Sequence, residues 1–483
     1  MSVSPEKHVC LTAIEGGVIA AAGAVSLLAT YWDDAWHTDR GRDSAFIAPH
    51  LALYGSVAVA GVIVILWGLR NLRRSRSLIA VLRFPPLLLA GLGGGFTLLA
   101  APVDAAWHAA YGRDAVLWSP PHMLIVLAST TMTVGVLAGL DSRSAVSPPV
   151  AALMLGGLAV SVMEYDTGVP QFNEVFYLPV LLASGLFAVA LIRRLVGLPH
   201  AVAWALVWYA GARILVMVAL WGLGRSMPDP PLAILGLAAA DLPWRSERIR
   251  LAAGAAGVSA LAWGTAAFGL TSLHPGPIGA VALPVLLIFA ALLVTGRRAA
   301  EAVSAAAAMV TAAAVTMASA PQARAHDPGQ GTVIGTLKLT ADTTATGLTR
   351  LTASAESSGS SCTGLVARRI IARRAGRTRT APLNTDGACR FSGVISVPPT
   401  GRWFLYAELT ASGRAAEAWL PVFTDRTGRN SQTRELYRPT AKPGGATAEI
   451  ASGIAIYAIG LSLLGLALFL TYRTPRPRAA QTT

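Results

Sequence analysis

The sequence predicts an all-α polytopic membrane protein of about twelve transmembrane helices with a small extracytoplasmic β-sandwich domain. Three observations predict it. Apolar runs of about twenty residues recur along a 483-residue chain that is 54% hydrophobic and 13% charged, whereas soluble domains carry about a quarter charged residues. Arginines gather in loops that fall on one side of the spans. A single long polar stretch alternates apolar and polar residues with a period of two.

The apolar runs lie at 9–30, 49–69, 84–103, 121–140, 148–164, 174–193, 201–223, 231–243, 250–271, 277–296, 302–320 and 450–472. A helix needs about twenty apolar residues to cross hydrocarbon. Runs of that length suit helices, because every backbone polar group must be satisfied inside lipid. The run at 231–243 is short for a span. Arg70, Arg73, Arg74, Arg76 and Arg83 fall in one loop, Arg193 and Arg194 in another, and Arg245, Arg248 and Arg250 in a third. Arg297 and Arg298 fall in a fourth, and Arg473, Arg476 and Arg478 follow the last run. With twelve spans all five places share one side, so the positive-inside rule puts both termini in the cytoplasm of a multi-pass plasma-membrane protein. The net charge of +14 then reports topology, with the lipid bilayer as partner and no nucleic acid.

This organisation divides the chain into a helical membrane domain at 1–320, an outward β domain at 321–448, and a final helix with a basic cytoplasmic tail at 449–483. Six segments of the polar stretch read as strands: "TVIGTLKLTAD", "GLTRLTASAE", "GLVARRIIARR", "RFSGVISVP", "RWFLYAELTAS" and "RAAEAWLPVFT". Ser412-Gly413 marks the turn between the last two, and short strands separated by turn residues predict a small sandwich. Cys362 and Cys389 lie in this outward, oxidising segment and are expected to form a disulfide. Cys10 reads as a small buried apolar residue. Ahead of the domain, Ala323-Arg324-Ala325 has the form of a signal-peptidase site. Cleavage there would leave His326 as an N-terminal residue able to chelate a copper ion; uncut, it is a lone surface histidine.

The chemistry concentrates in a repeat. "DDAWHTDRGRDSAFIAPH" (33–50) is written again as "DAAWHAAYGRDAVLWSPPH" (104–122). Asp33, Trp36, His37, Gly41, Arg42, Asp43 and His50 correspond to Asp104, Trp107, His108, Gly112, Arg113, Asp114 and His122. Each copy ends one apolar helix, crosses an outer loop and opens the next, so a duplicated helical hairpin is its natural origin. An Asp and a His four apart project from one helical face, and the second His can return across the loop to meet them. Proline places that His in a first helical turn, where the helix dipole disfavours an imidazolium and leaves the neutral ring that a metal needs. Two imidazoles and one carboxylate suit copper, zinc or non-haem iron. Trp36 and Trp107 read as interfacial anchors. The Arg42–Asp43 and Arg113–Asp114 pairs read as loop turns that could steady a ligand from outside the metal shell.

Asp33, His37 and His50, in the pattern Asp-x3-His-x12-His around "WHTDRGRDSAF", resemble the copper-binding motif of the C subunit of copper membrane monooxygenases, the particulate methane and ammonia monooxygenases. Asp104, His108 and His122, spaced 4 and 14, resemble that subunit's second copper site, although Asp104 stands where the family has Asn. The resemblance covers about residues 30–135. It implies two copper sites in outward-facing helices, an enzyme that inserts an oxygen atom from O2 into a small apolar substrate, a quinol or other electron donor, and further membrane subunits. The "ARAHD" stretch is loosely similar to the family's B-subunit domain, but His326 is the last histidine, so the His-x-His that would complete a B-type site is absent.

Two other readings compete. One is a non-enzymatic membrane protein for copper uptake, delivery or storage. The other is an electron carrier with haem held by His50 and His122, which leaves the aspartates unexplained. Arg213, in the middle of a span, is expected to pair with Glu164, Asp166 or Glu174. Glu15 could approach the metal loops or the bundle interior. His8, His200 and His274 read as ordinary. No nucleotide-binding loop, Cys-x-x-Cys or haem-attachment signature occurs.

Overall fold

A computed structural model describes residues 8–40, 46–111, 117–294, 331–355, 364–387, 389–399, 401–439 and 445–473. Among them, eight stretches of helix are long and apolar enough to cross a membrane: Ala13–Asp39, Ala48–Ser75, Pro85–Tyr111, Pro120–Gly139, Ser147–Asp166, Glu174–Leu195, Ala201–Gly222 and Thr447–Arg473. The expected run at 302–320 lies outside the described residues.

The helical part begins with α1 (Ala13–Asp39), α2 (Ala48–Ser75), α3 (Leu78–Leu82), α4 (Pro85–Tyr111) and α5 (Pro120–Gly139). It continues with α6 (Ser147–Ala159), α7 (Met163–Asp166), α8 (Tyr177–Leu195), α9 (Ala201–Gly222), α10 (Glu247–Ala267) and α11 (Pro275–Val294). The last helix is α12 (Ala446–Arg473). Local chemistry sets several starts. Thr12 and Glu15 close a reciprocal capping box at α1. Pro49 occupies the first turn of α2, and Pro120 and Pro121 that of α5, where a missing N–H costs nothing.

The short run at 231–243 is no α-helix. Ala233–Asp241 is a 3-10 helix, whose rise of about 2.0 Å per residue carries nine residues roughly 18 Å. It passes close beside α10: a Cβ on Gly236 would lie 2.1 Å from the carbonyl carbon of Gly257. The backbones of α4 and α5 approach by the same device, since a Cβ on Gly93 would meet the Met132 nitrogen at 2.2 Å and one on Gly135 the Ala90 nitrogen at 2.3 Å. Small residues at a helix crossing permit this contact.

The bundle has two distinct ends. At one, Leu11 donates its N–H to the Gly139 carbonyl at 2.9 Å and Gly197 to that of Ser142 at 2.7 Å. Arg193 meets Asp241 at 3.3 Å and Glu247 at 3.1 Å, and Arg194 donates to the Thr471 carbonyl. The arginine clusters at the ends of α2, α8 and α12 therefore share this end. Glu15 is here too, paired with Arg70, and does not reach the repeated motif. Cys10, expected to be buried, is exposed at this end, three residues before α1 begins at Ala13.

The β domain corrects the expected sandwich. Its nine strands are β1 (Gly331–Thr343), β2 (Leu348–Ala355), β3 (Leu365–Arg374), β4 (Arg377–Pro382), β5 (Asn384–Thr385), β6 (Arg390–Ser396), β7 (Arg402–Ala411), β8 (Arg414–Phe423) and β9 (Gly428–Pro439). They form one antiparallel sheet in the order β4-β3-β7-β8-β9-β1-β2-β6-β5. The six segments read from sequence are β1, β2, β3, β6, β7 and β8. The polar β9 completes the sheet by pairing along β1; it meets β8 through the Glu417–Tyr437 pair and through Asn430, whose side-chain amide donates to the Pro421 carbonyl at 2.6 Å. The sheet curls until its ends nearly meet, as a Cβ on Gly393 of β6 would lie 2.4 Å from the carbonyl oxygen of Pro382 in β4. Ser412 and Gly413 both adopt positive φ, 49° and 74°, as the two-residue turn of a tight hairpin requires.

The domain rests on the other end of the bundle. In β7, Trp403, Leu405, Ala407 and Leu409 fill the interior of the curled sheet, while Phe404 and Tyr406 point outward. Those outward rings, with Ile371, Trp419 and Tyr437, bury Val169 from the loop after α7. Beside this contact Arg374 Nη2 lies 2.8 Å from Glu174 Oε1, and Ala375 donates its N–H to the Pro170 carbonyl at 2.9 Å. The acidic "EYDTGVPQFNE" loop is thus the seat of the β domain. Arg213 pairs with Asp166 at 3.0 Å and also meets Tyr31 and Tyr209, which settles its partner among the three acids.

Candidate metal centre

Each copy of the repeat pairs two helices, α1 with α2 and α4 with α5, at the end of the bundle that carries the β domain. Asp33 and His37 occupy the last turns of α1, and Asp104 and His108 those of α4. His50 and His122 are each the third residue of the following helix, directly after Pro49 and Pro121. The α5 start is capped by Ser119, whose hydroxyl accepts the N–H of His122. Four-residue spacing stacks each Asp on its His, and the hairpin brings the second His back to the same carboxylate.

In the second hairpin, Asp104 Oδ2 lies 3.1 Å from His108 Nε2 and Asp104 Oδ1 3.3 Å from His122 Nε2. Among the described residues this is the set whose three ligand atoms all fall within 4.8 Å of one another. In the first hairpin, both imidazoles address one oxygen: Asp33 Oδ1 is 3.1 Å from His50 Nε2 and 3.7 Å from His37 Nε2. The two sets are neighbours, since Asp33 interacts electrostatically with His122 as well as with His37 and His50.

These residues fit a transition-metal ion. Asp33 Oδ1 and Asp104 Oδ1 are buried, and the Nε2 atoms of His50 and His122 stand 3.1 and 3.3 Å from them. Buried carboxylate oxygens are costly unless they are satisfied, here by these imidazoles or by a metal ion shared with them. Metal–ligand bonds of about 2.0–2.2 Å would separate tetrahedral ligands by roughly 3.3–3.6 Å, and the carboxylate–imidazole distances straddle that range. The third ligand atom of the first set is the looser one.

The surroundings carry charge of both signs. Asp34, 8% exposed, lies beside the first set, and Glu164, 2% exposed, lies beside the second. From the β domain, Arg402 faces Asp39, Asp34 and Asp229; burial lowers its guanidinium below the ordinary arginine range, and these acids oppose the shift. Asp39 holds Ser226 through its N–H at 2.7 Å and its hydroxyl at 2.5 Å. Trp36 stacks between Arg40 and Arg225, 5.0 and 5.1 Å from their guanidinium carbons. Trp107 is 5% exposed and packs on Tyr111 and the Gly453 turn of α12. Trp107 is thus held by packing, and Trp36 is a platform for two arginines.

Several expected residues stand elsewhere. Arg42, Asp43, Arg113, Asp114, Cys362 and His326 lie outside the described residues. Cys389 precedes β6 with φ 64°. His274 meets Glu174 at 2.9 Å, far along the chain from the repeat. Asp34 and Glu164 are the residues that sequence reasoning did not assign to the site. The Asp33-Asp34 doublet at the end of an apolar helix was the available signal for one of them.

No protein family matches this chain, and neither the curated proteins nor the solved structures contain a match to it.

Proposed function

We propose that this chain is a copper-binding integral protein of the cell membrane, and an oxidoreductase resembling the copper membrane monooxygenases that oxidises a small apolar substrate with O2. The observation that carries the reading is Asp104, whose two oxygens stand 3.1 and 3.3 Å from His108 and His122, in a hairpin that repeats the arrangement of Asp33, His37 and His50. In this reading both termini are cytoplasmic, and the metal sites and β domain face outward. Cys362 and Cys389 form a disulfide in that oxidising compartment.

Bound copper would supply one-electron chemistry toward O2. The chain's own residues do the rest. Asp33 and Asp104 supply anionic oxygens that neutralise part of the metal charge. His37, His50, His108 and His122 present Nε2 from helix ends that are fixed by packing. The apolar helices offer a route for a small hydrophobic substrate from the bilayer. Electrons come from an outside donor such as a quinol, and other membrane subunits complete the assembly. Zinc or iron in the same ligand set are the competing metals.

A second reading is a copper carrier without turnover. It is favoured by the access to the second site, where the side chains of Asp104 and His122 are 22% and 27% exposed, and by the absence of any histidine in the chain after His326.

Metal analysis and electron paramagnetic resonance of the membrane-purified protein, beside His37→Ala and His108→Ala, test the ligand assignment. Two coppers in the parent and one in each variant are expected. Zinc, haem or no metal would overturn the reading. Reductant-dependent O2 consumption then separates enzyme from carrier.

A further inference from the structure

We infer that Glu164 is a positioning residue for the second metal site, and that through it the seat of the β domain sets how His122 meets Asp104. This rests on the reading of Asp104, His108 and His122 as metal ligands.

Glu164 divides its carboxylate between two loops. Oε1 accepts the N–H of Leu117 at 2.9 Å, and Oε2 accepts the N–H of Gln171 at 3.1 Å. Leu117 stands two residues before Ser119, the cap of α5, and the first turn of α5 carries His122. The next residue, Trp118, is strapped as well: its Nε1 donates to the Ser161 carbonyl at 3.1 Å, and its own carbonyl accepts from the Tyr457 hydroxyl at 2.6 Å. On the other side, Gln171 follows Pro170, which holds Ala375 of the β domain, and stands two residues after the buried Val169. One buried carboxylate thus joins the loop that aims a ligand to the loop on which the domain sits.

The alternative role for such a carboxylate is a fourth metal ligand. Both of its oxygens are already committed to main-chain N–H groups, and it is not in the group of atoms close enough to share one ion. Burying a carboxyl group is costly unless its hydrogen bonds are made, and both oxygens of Glu164 have theirs. A glutamine would offer one oxygen and set its amide hydrogens against the second N–H. The need to hold two loops at once accounts for the acid. The first hairpin is held by other means, through Asp39 on Ser226 and the Thr38 carbonyl facing Arg434 of β9, so it serves as an internal control.

Full-length protein in detergent is titrated with Cu(II) and followed by electron paramagnetic resonance for the parent, His108→Ala, Glu164→Ala and Glu164→Gln. Loss of an outer hydrogen-bond partner typically weakens a metal site about 10- to 100-fold. Glu164→Ala is expected to weaken the copper that His108→Ala removes by that amount and to change its hyperfine pattern, leaving the other copper unaltered. Glu164→Gln, keeping one of two bonds, falls between, and decides alone if the alanine variant does not accumulate. Parental affinity and spectrum at the second site, or an equal loss at both sites, would overturn the inference while the ligand assignment stands. A parent with no copper that His108→Ala removes would overturn both.

Discussion

His122 Nε2 lies 3.3 Å from Asp104 Oδ1, although the two residues belong to different helices and are separated by a loop. The carboxylate rather than an amide at this position gives the second site a full negative charge. Asp104→Asn keeps an oxygen ligand and removes the charge. Copper is expected to bind about tenfold more weakly, a loss of about 1.4 kcal/mol, with a higher reduction potential. On the proposed assignment, Asp104→Ala is expected to abolish copper binding at the second site. Metal titration and redox potentiometry check both.

Val169 anchors the β domain by filling the pocket of Ile371, Phe404, Tyr406, Trp419 and Tyr437. Val169→Ala should weaken docking by about 1.5 kcal/mol, at about 0.8 kcal/mol for each buried carbon lost. Val169→Asp would place a charge in that pocket and release the domain. Hydrogen exchange of the 164–174 loop should then accelerate at least tenfold, while exchange within β7 and β8 stays slow.

Arg213 is fully buried and shared among Asp166, Tyr31 and Tyr209. Arg213→Leu leaves the Asp166 carboxylate buried without its cation, which costs about 3–5 kcal/mol. A large fall in the thermal midpoint of the detergent-solubilised protein is expected. Adding Asp166→Asn should restore part of it.

Burial raises the carboxyl of Asp229 above its ordinary value of 3.8. The folded chain therefore holds this proton more tightly than the unfolded chain, and ionising it opposes folding. Asp229→Asn, which keeps an oxygen for the Ser272 N–H, should be more stable than the parent at neutral pH. The gain should shrink as pH falls through the raised folded value and vanish below about 3.8. Thermal midpoints of both proteins across that range test the sign.

How much was legible follows from what each signal measures. The two hairpins were readable because a four-residue spacing, a proline and a second histidine fix positions locally, whatever the rest of the fold does. The order of the helices followed from apolar length and from the arginine loops. The 3-10 crossing was not readable, since its residues are as apolar as a short helix and its geometry comes from contact with Gly257. The single curled sheet was missed because β9, "GRNSQTRELYRP", shows little alternation and pairs along its length with β1. The β7 stretch "RWFLYAELTA" did hold an unread signal. A strand that is apolar on both faces has something packed on each, and its outer face is where Val169 sits. Glu164 was visible as an acid but not as a tie, because its partners are main-chain groups, which leave no trace in side-chain pattern.

The near-closure of the β domain has a consequence for its life outside the bundle. An open sheet offers unpaired strand edges that recruit other chains. Here β4 at one end of the strand order faces β6 near the other, and β5 is only Asn384–Thr385, so little edge is left to template a foreign strand. The domain is thereby guarded against strand-exchange aggregation while its apolar outer face is committed to the helices beneath it.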